Sequence, residues 1–512
     1  MLLSLLIFIP LLGALGLLVL PSDRHDLMRG YTLAVTLIVA VLGAMLWFQF
    51  DASIATQQLT ENRHWFLIPY HDAPGFVEVR YALGVDGISI LLVALTAFLM
   101  PLVVLSTPGH VKHRVKEFLV WLLVMQTGMM GVFLAMDLVL FYTFWEVSLV
   151  PLYFMLGIWG GERRLYATVK FFLYTVAGSL VMLIAAVWMY LHFHTTSIPE
   201  LTELAAASSL EVQGWLFAAF ALAFAIKVPV IPFHTWLADA HTEAPTSGSV
   251  ILAGVLLKMG TYGLLRFGIG MFPQAAVASS TAFMILGAVG IVYGAFLAMA
   301  QTDVKRLVAC SSVSHLGYVV LGMFALTQSG LRGSLLQMVN HGLSTGLLFL
   351  LIGMIYERRH TRELKDYGGV AAVMPVFAFF FVFAVLSSVG LPGLNGFIGE
   401  WMILLGSFQA NPWIAGIAVT GVIFGAVYLL RATRLMLFGE VTNEANQKLQ
   451  DLNLREVGLM VPIAVLCVWI GVAPNMFLDR TTASLDLLAE RVEAAQTTLE
   501  LSAAEVSTEV PR

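Results

Sequence analysis

Lys227-Val-Pro229-Val-Ile-Pro232-Phe-His234-Thr-Trp236 interrupts an apolar run, 214–237, long enough to cross a bilayer. Each proline removes a backbone donor and clashes with the preceding turn, so an α-helix cannot pass through unbroken. A second interruption reads Gly390-Leu-Pro392-Gly393-Leu-Asn395-Gly396-Phe-Ile-Gly399-Glu400-Trp401. There glycine supplies the conformational freedom that unwound backbone needs. Open backbone at membrane depth survives only when buried in protein or lining a wet cavity. Each break also has an ionisable residue beside it, Lys227 at the first and Glu400 at the second. Simple proline kinks that shape a bundle would not require those charges.

The surroundings of both breaks are membrane-like. Of 512 residues, 59% are hydrophobic and 12% charged, and a soluble protein could not cover its surface with so few polar groups. The net charge of −5 is small, and no basic patch points to nucleic acid. The first twenty residues lack a leading positive cluster and a small-residue cleavage site, so they read as a retained helix. Fourteen candidate spans emerge, at 2–20, 31–50, 87–107, 118–135, 138–159, 166–193, 214–237, 247–268, 278–300, 304–326, 331–354, 373–408 (broken), 412–437 and 457–475. Seventeen lysines and arginines then fall on one set of alternate loops, Lys112, Arg114, Arg163, Arg164, Lys305 and Arg306 among them. Only seven fall on the other, counting Arg512. By the positive-inside rule the first set is cytoplasmic and both termini face away from it. Cys310 and Cys467 have no metal-ligand spacing and read as packing residues.

An internal repeat supports this plan. Gly131-Val-Phe-Leu-Ala-Met136 recurs as Gly294-Ala-Phe-Leu-Ala-Met299, an offset of 163, and the same offset carries Pro229 onto Pro392. The chain divides into an N-terminal three-helix segment (1–117), two five-helix halves (118–268 and 278–437), and a last helix with tail (438–512). Five is odd, so the second half enters the membrane from the opposite side. The expected fold is an all-α polytopic membrane protein with two inverted five-helix repeats, each containing one broken helix, a plan common in transporters.

Ionisable residues inside the apolar runs mark the chemistry. A charge at the bilayer centre costs at least ~2.5–3.5 kcal/mol, so those that persist there pair with one another or carry protons or ions. Glu146 is the only ionisable residue of its span. Two opposite charges ~5 Å apart at an effective dielectric of ~20 gain ~3 kcal/mol. Moving a glutamate relative to Lys227 therefore changes the lysine's proton affinity roughly a hundredfold. A static ion pair is the competing reading. Lys258 lies about eleven residues, or ~16 Å, into its span, too deep for easy snorkelling. It reads as a proton carrier between the two halves. Lys170 is shallower, and snorkelling explains it as well as function does. His234, His315 and His341 either relay protons or serve as hydrogen-bonded core residues. Asp137, Asp239 and Asp303 lie near span ends and read as interfacial or helix-end charges. In the tail, Leu485, Leu488, Val492 and Leu499 share one face of an amphipathic helix that suits a neighbour or the membrane surface. The Gly393–Gly399 stretch lacks the strand and βαβ context of a dinucleotide site.

Several stretches resemble the antiporter-like membrane subunits of respiratory complex I over nearly the whole chain. They are Ala225-Ile-Lys227-Val-Pro-Val-Ile-Pro-Phe-His234-Thr-Trp-Leu-Ala-Asp239-Ala-His241, Ala244-Pro-Thr-Ser-Gly-Ser249, Gln301-Thr-Asp-Val-Lys-Arg306, Phe144-Trp-Glu146 and Gly396-Phe-Ile-Gly-Glu400. That family has three close paralogues in complex I, with relatives in multisubunit sodium/proton antiporters and membrane-bound hydrogenases. Glu400, where sister subunits usually carry lysine, and a tail of only about 37 residues favour one paralogue among the three. The resemblance implies a proton path in which Glu146 tunes Lys227, Lys258 connects the halves and Glu400 hands the proton to the outer side. It implies a multi-pass protein of the bacterial inner membrane, with other membrane-arm subunits and neighbouring antiporter-like subunits as partners. NADH, flavin, iron–sulfur clusters and quinone would belong to other subunits, and this chain would hold no cofactor or metal. Strict symmetry fails, because the offset maps Glu146 onto Ala309 and Lys258 onto Gly421. Two other functions remain open at this point: a subunit of an ion-gradient-driven cation/proton antiporter, and a purely structural membrane arm.

Overall fold

Apolar residues on every side of a helix carry no information about which face is buried in a bilayer, because lipid and protein interior are equally apolar. The interior is marked instead by polar side chains and glycines. The computed structural model describes residues 1–69, 75–441 and 443–509, so Arg512 lies outside the described residues. Among them, thirteen helices are long and apolar enough to span a membrane. The fourteenth expected span is the broken one, Pro375–Val389 followed by Asn395–Ala410. Three helices are enclosed by the others over their membrane-length middles: Thr246–Ile269, Val304–Phe324 and Gln328–Arg359. They form a central column and carry Lys258, His315 and His341. The outer helices, such as Arg164–Phe193 and Pro412–Leu437, expose most of their apolar surface. Helix Val304–Phe324 packs closely on Pro273–Met299, where a methyl at Gly317 would meet the backbone of Gly287 and Ile291 at 2.8 Å.

Both breaks have a local cause. Helix Leu210–Lys227 ends two residues before Pro229, whose nitrogen cannot donate to the Ala225 carbonyl. That carbonyl accepts from Val230 N–H at 2.7 Å instead. The Ile226 carbonyl accepts from the Trp236 indole at 2.9 Å. Helix then resumes over Thr235–Glu243. At the second break Gly390 and Gly393 take φ of +83° and +92°, where a side chain would be strained. Between the breaks, span Thr246–Ile269 contains two widened π-type segments, Leu252–Leu256 and Leu264–Ile269, either side of Lys258. Such widening commonly accompanies functional sites.

Two features add to the all-helical expectation. An antiparallel hairpin, Gln58–Pro69 with Phe76–Val85, occupies a stretch the sequence reading left as loop. Its strands alternate weakly between polar and apolar residues. The tail is one helix, Asn475–Glu509. Its Leu485, Leu488 and Val492 are buried, but against this chain and not against a neighbour or the bilayer surface. Ser484 accepts from Gly87 N–H and donates to the Ala55 carbonyl, and Arg480 donates to the Phe50 carbonyl. The Glu61 carboxylate of the hairpin accepts from Leu3 N–H at 2.8 Å and Ser4 Oγ at 2.5 Å, capping the first helix. The starts of the first helix and of the tail helix therefore lie beside the hairpin at one end of the bundle.

Candidate functional site

Lys227 is the last residue of its half-helix and is 1% exposed. Its stem packs against Gly260, and its amine lies 5.2 Å over the Trp145 ring with no hydrogen-bond partner among the described residues. Glu146, next to Trp145, is half-buried, and its Oε1 likewise has no partner. The two interact electrostatically but form no ion pair within 4 Å among the described residues. The static-pair reading therefore fails. Glu146 is held instead by a side-chain hydrogen bond with Tyr142.

Lys258 is fully buried. Its amine lies 2.7 Å from His341 Nδ1 and also donates to the Ala253 carbonyl, which the widened segment presents to it. With the amine donating, His341 accepts at Nδ1 and carries its own hydrogen at Nε2. The His341 ring is 5.8 Å from that of His315. His315 Nδ1 in turn lies 3.0 Å from Glu400 Oε1, and Gln337 donates to the same oxygen at 3.1 Å. Glu400 is 6% exposed and sits one and a half turns into the half-helix after the second break. Asn340 and Asn395 bond reciprocally to each other's carbonyls, at 2.7 and 3.2 Å, and Ser387 donates to Asn395. This amide lattice holds the break beside the long central helix.

The structure thus gathers Lys258, His341, His315 and Glu400 into one buried file from span Thr246–Ile269 to half-helix Asn395–Ala410, with Lys227 and Glu146 at its flank. It leaves His234 apart. That ring is half-buried, edge-on to Tyr293 at 5.5 Å, and makes no contact with the file. Lys170 does not snorkel. It pairs with Asp239 at 2.8 Å, and Asp239 also faces Arg306 at 3.6 Å, so the carboxylate ties three helices together. Asp137 and Asp303 cap helices Leu138–Trp159 and Val304–Phe324 through backbone N–H groups. Four participants escaped the sequence reading. Gln337 and Asn340 are uncharged and cost little to bury, so they gave no alarm. Lys305 looked like a loop charge but is buried, donating to the Thr242 and Ala244 carbonyls that end helix Thr235–Glu243. His241 is fully buried, stacks on Phe349 at 4.7 Å, and neither ring nitrogen has a partner among the described residues.

The family described as "NADH:quinone oxidoreductase/Mrp antiporter, TM" matches residues 135–425, and "NADH-ubiquinone oxidoreductase chain 4, amino terminus" matches 28–132. NADH-quinone oxidoreductase subunit M of Rhodobacter capsulatus is 44% identical over 515 residues, covering 97% of this chain and 98% of that one. The chain belongs to the subunit M/chain 4 family of NADH:quinone oxidoreductases. A second relative, NADH-ubiquinone oxidoreductase chain 4 of Arabidopsis thaliana, is 41% identical over 489 residues, with 95% and 97% coverage. Among solved structures, a chain of respiratory complex I from Thermus thermophilus superposes with a TM-score of 0.84 at 32% identity, covering 96% of this chain and all of that one. A chain of the Mrp complex from Dietzia sp. also reaches 0.84, at 21% identity and 96% and 98% coverage, which establishes shared fold alone. The complex I resemblance read from the sequence holds, and the chain falls in the family that Glu400 and the short tail favoured.

Proposed function

We propose that this chain is a proton-translocating membrane-arm subunit of an NADH:quinone oxidoreductase, driven by redox chemistry in other subunits. It spans the bacterial inner membrane with both termini on the periplasmic side and docks against other membrane-arm subunits, neighbouring antiporter-like chains included. NADH, flavin, iron–sulfur clusters and quinone act elsewhere in the assembly. The observation that carries this reading is the file of close contacts, Lys258 to His341 at 2.7 Å and His315 to Glu400 at 3.0 Å, which joins the two broken-helix halves.

Each residue has a proposed part. Glu146, moving against Lys227, changes that amine's hold on its proton. Lys258 receives the proton at the centre. His341 and His315 pass it on, because an imidazole can accept at one nitrogen and release at the other. Glu400 delivers it to the outer side. The antiporter alternative has no observation of its own, since the Mrp likeness reaches only the fold.

The test is Lys258→Met in the assembled complex, which keeps the stem and removes the titrating amine. Proton translocation coupled to NADH oxidation should fall severely while the complex remains intact on native gels. Normal translocation by an intact variant complex would overturn the relay.

A further inference from the structure

The file described above begins at mid-membrane and leaves open how protons reach it. The long helix Gln328–Arg359 suggests where to look. Along it, His341, Thr345, Phe349, Gly353 and Glu357 follow at four-residue spacing, a ridge running from the centre to the cation-rich end. At 1.5 Å per residue, Glu357 stands about 24 Å from His341. Each ridge position meets a different group: Phe349 stacks on His241, Gly353 abuts Thr246, and Glu357 reaches His110.

His110 follows helix Ile90–Ser106 in a loop with Lys112 and Arg114. Its Nδ1 lies 3.3 Å from Glu357 Oε1. Its Nε2 lies 3.0 Å from Ser247 Oγ and accepts from Ser247 N–H at 3.3 Å. Because Nε2 accepts a backbone N–H, the ring hydrogen resides on Nδ1 and is donated to the carboxylate. This is the arrangement in which a carboxylate fixes an imidazole's tautomer and stabilises its cation. The side chains of His110 and Glu357 are 11% and 23% exposed, so the pair sits at a mouth and not in the core. Ser247 opens the span that carries Lys258. Five residues before that span's start at Thr246, His241 lies fully buried with both nitrogens unpartnered among the described residues. Lys305 pins the junction between them through the Thr242 and Ala244 carbonyls.

We infer that His110, held by Glu357, is the proton-collecting group at the cation-rich mouth, passing protons through Ser247 towards His241 and Lys258. The inference rests on the relay reading above. In the step, the His110 ring swings away from Ser247, breaking the Ser247 N–H···Nε2 bond, and its freed Nε2 bonds a proton from solvent while Glu357 stabilises the imidazolium. On the ring's return the Nε2–H bond breaks as Ser247 Oγ takes that proton. The hydroxyl's own proton leaves on the inner side, and no electrons change hands.

The experiment uses the whole complex in membrane vesicles with the cation-rich face outward. His110→Gln should slow NADH-driven proton translocation several-fold with assembly intact. Added free imidazole should restore part of the rate, which it could not do for a purely structural clamp. Normal translocation, or a loss that imidazole leaves untouched, overturns the proposal. If His110→Gln does not assemble, Glu357→Gln and Ser247→Ala decide: slowed translocation in both supports the inlet, and normal rates in both overturn it. Lys258→Met in the same vesicles separates the two ideas. If it pumps normally, the relay itself fails. If it does not pump while His110→Gln does, only the inlet fails.

Discussion

Glu400 illustrates how one side chain can be held without being consumed. Its Oε1 accepts from both Gln337 and the His315 ring, and a glutamine there could accept the same two bonds. Glu400→Gln thus keeps shape and contacts but cannot carry a proton. A positioned proton-transfer group contributes about 10²–10⁴-fold. Translocation by Glu400→Gln should fall by about two orders of magnitude in a complex that still assembles. Glu400→Lys disturbs the His315 contact more, yet an amine still titrates, so it should retain more pumping than the glutamine variant. Translocation and quinone reduction in matched membranes decide this. Equal, near-normal rates for Glu400→Gln and the parent would leave the second break as a structural kink.

The two breaks solve the same problem with different chemistry. The second relies on left-handed glycines, the first on a borrowed donor, the Trp236 indole on the Ile226 carbonyl. Trp236→Phe removes that donor and leaves a buried carbonyl unmet, at a cost of about 1–3 kcal/mol. The assembled complex should dissociate at a lower temperature in a thermal-shift measurement, and an unchanged transition would show that the indole is dispensable. These breaks were legible in the sequence because Pro229, Pro392 and their neighbouring glycines act on the backbone directly. Lys227, Lys258 and Glu400 were legible because charge in an apolar run is costly. The rest was hidden for equally physical reasons. Buried amides such as Gln337 and Asn395 carry no such penalty. Lys305 adjoins Arg306 at a helix start and looks solvated until helix Thr235–Glu243 is seen to end against it. The hairpin has too little alternation to announce two strands, and the partner of the tail's apolar face lies hundreds of residues away.

At the scale of the molecule, the end bearing the hairpin is tied to the first helix through Glu61. Glu61 is the knot. Burial by itself would raise its carboxyl, but hydrogen bonds from the terminal amine, the Ser4 hydroxyl and the Ser4 and Leu3 backbone outweigh this and hold it below its ordinary 4.5. A carboxyl lowered in the folded state adds stability that is present above 4.5 and is lost as pH falls through the folded value. The protection of amides in strand Gln58–Pro69, after correction for the intrinsic pH dependence of exchange, should therefore be constant at neutral pH and fall only below about 4.5. Glu61→Gln should flatten that dependence, and an unchanged acid profile in the variant would place the knot elsewhere. From there helix Gln328–Arg359 runs through the bundle, packed on Thr246–Ile269, Val304–Phe324, Asn395–Ala410 and the tail helix. It bears His341 midway and Glu357 at one end, and near the other Arg332 grips Asp486 of the tail. Thirty-two residues make a rod of about 48 Å. An atom ~6 Å from the axis of such a rod shifts by about 2 Å when the rod turns ~20°. That is enough to part the 2.7 Å contact between His341 and Lys258. A turn of the helix, imposed where the tail meets it, would thus be felt at the Lys258 contact and at the Glu357 end together, because one rigid rod carries both.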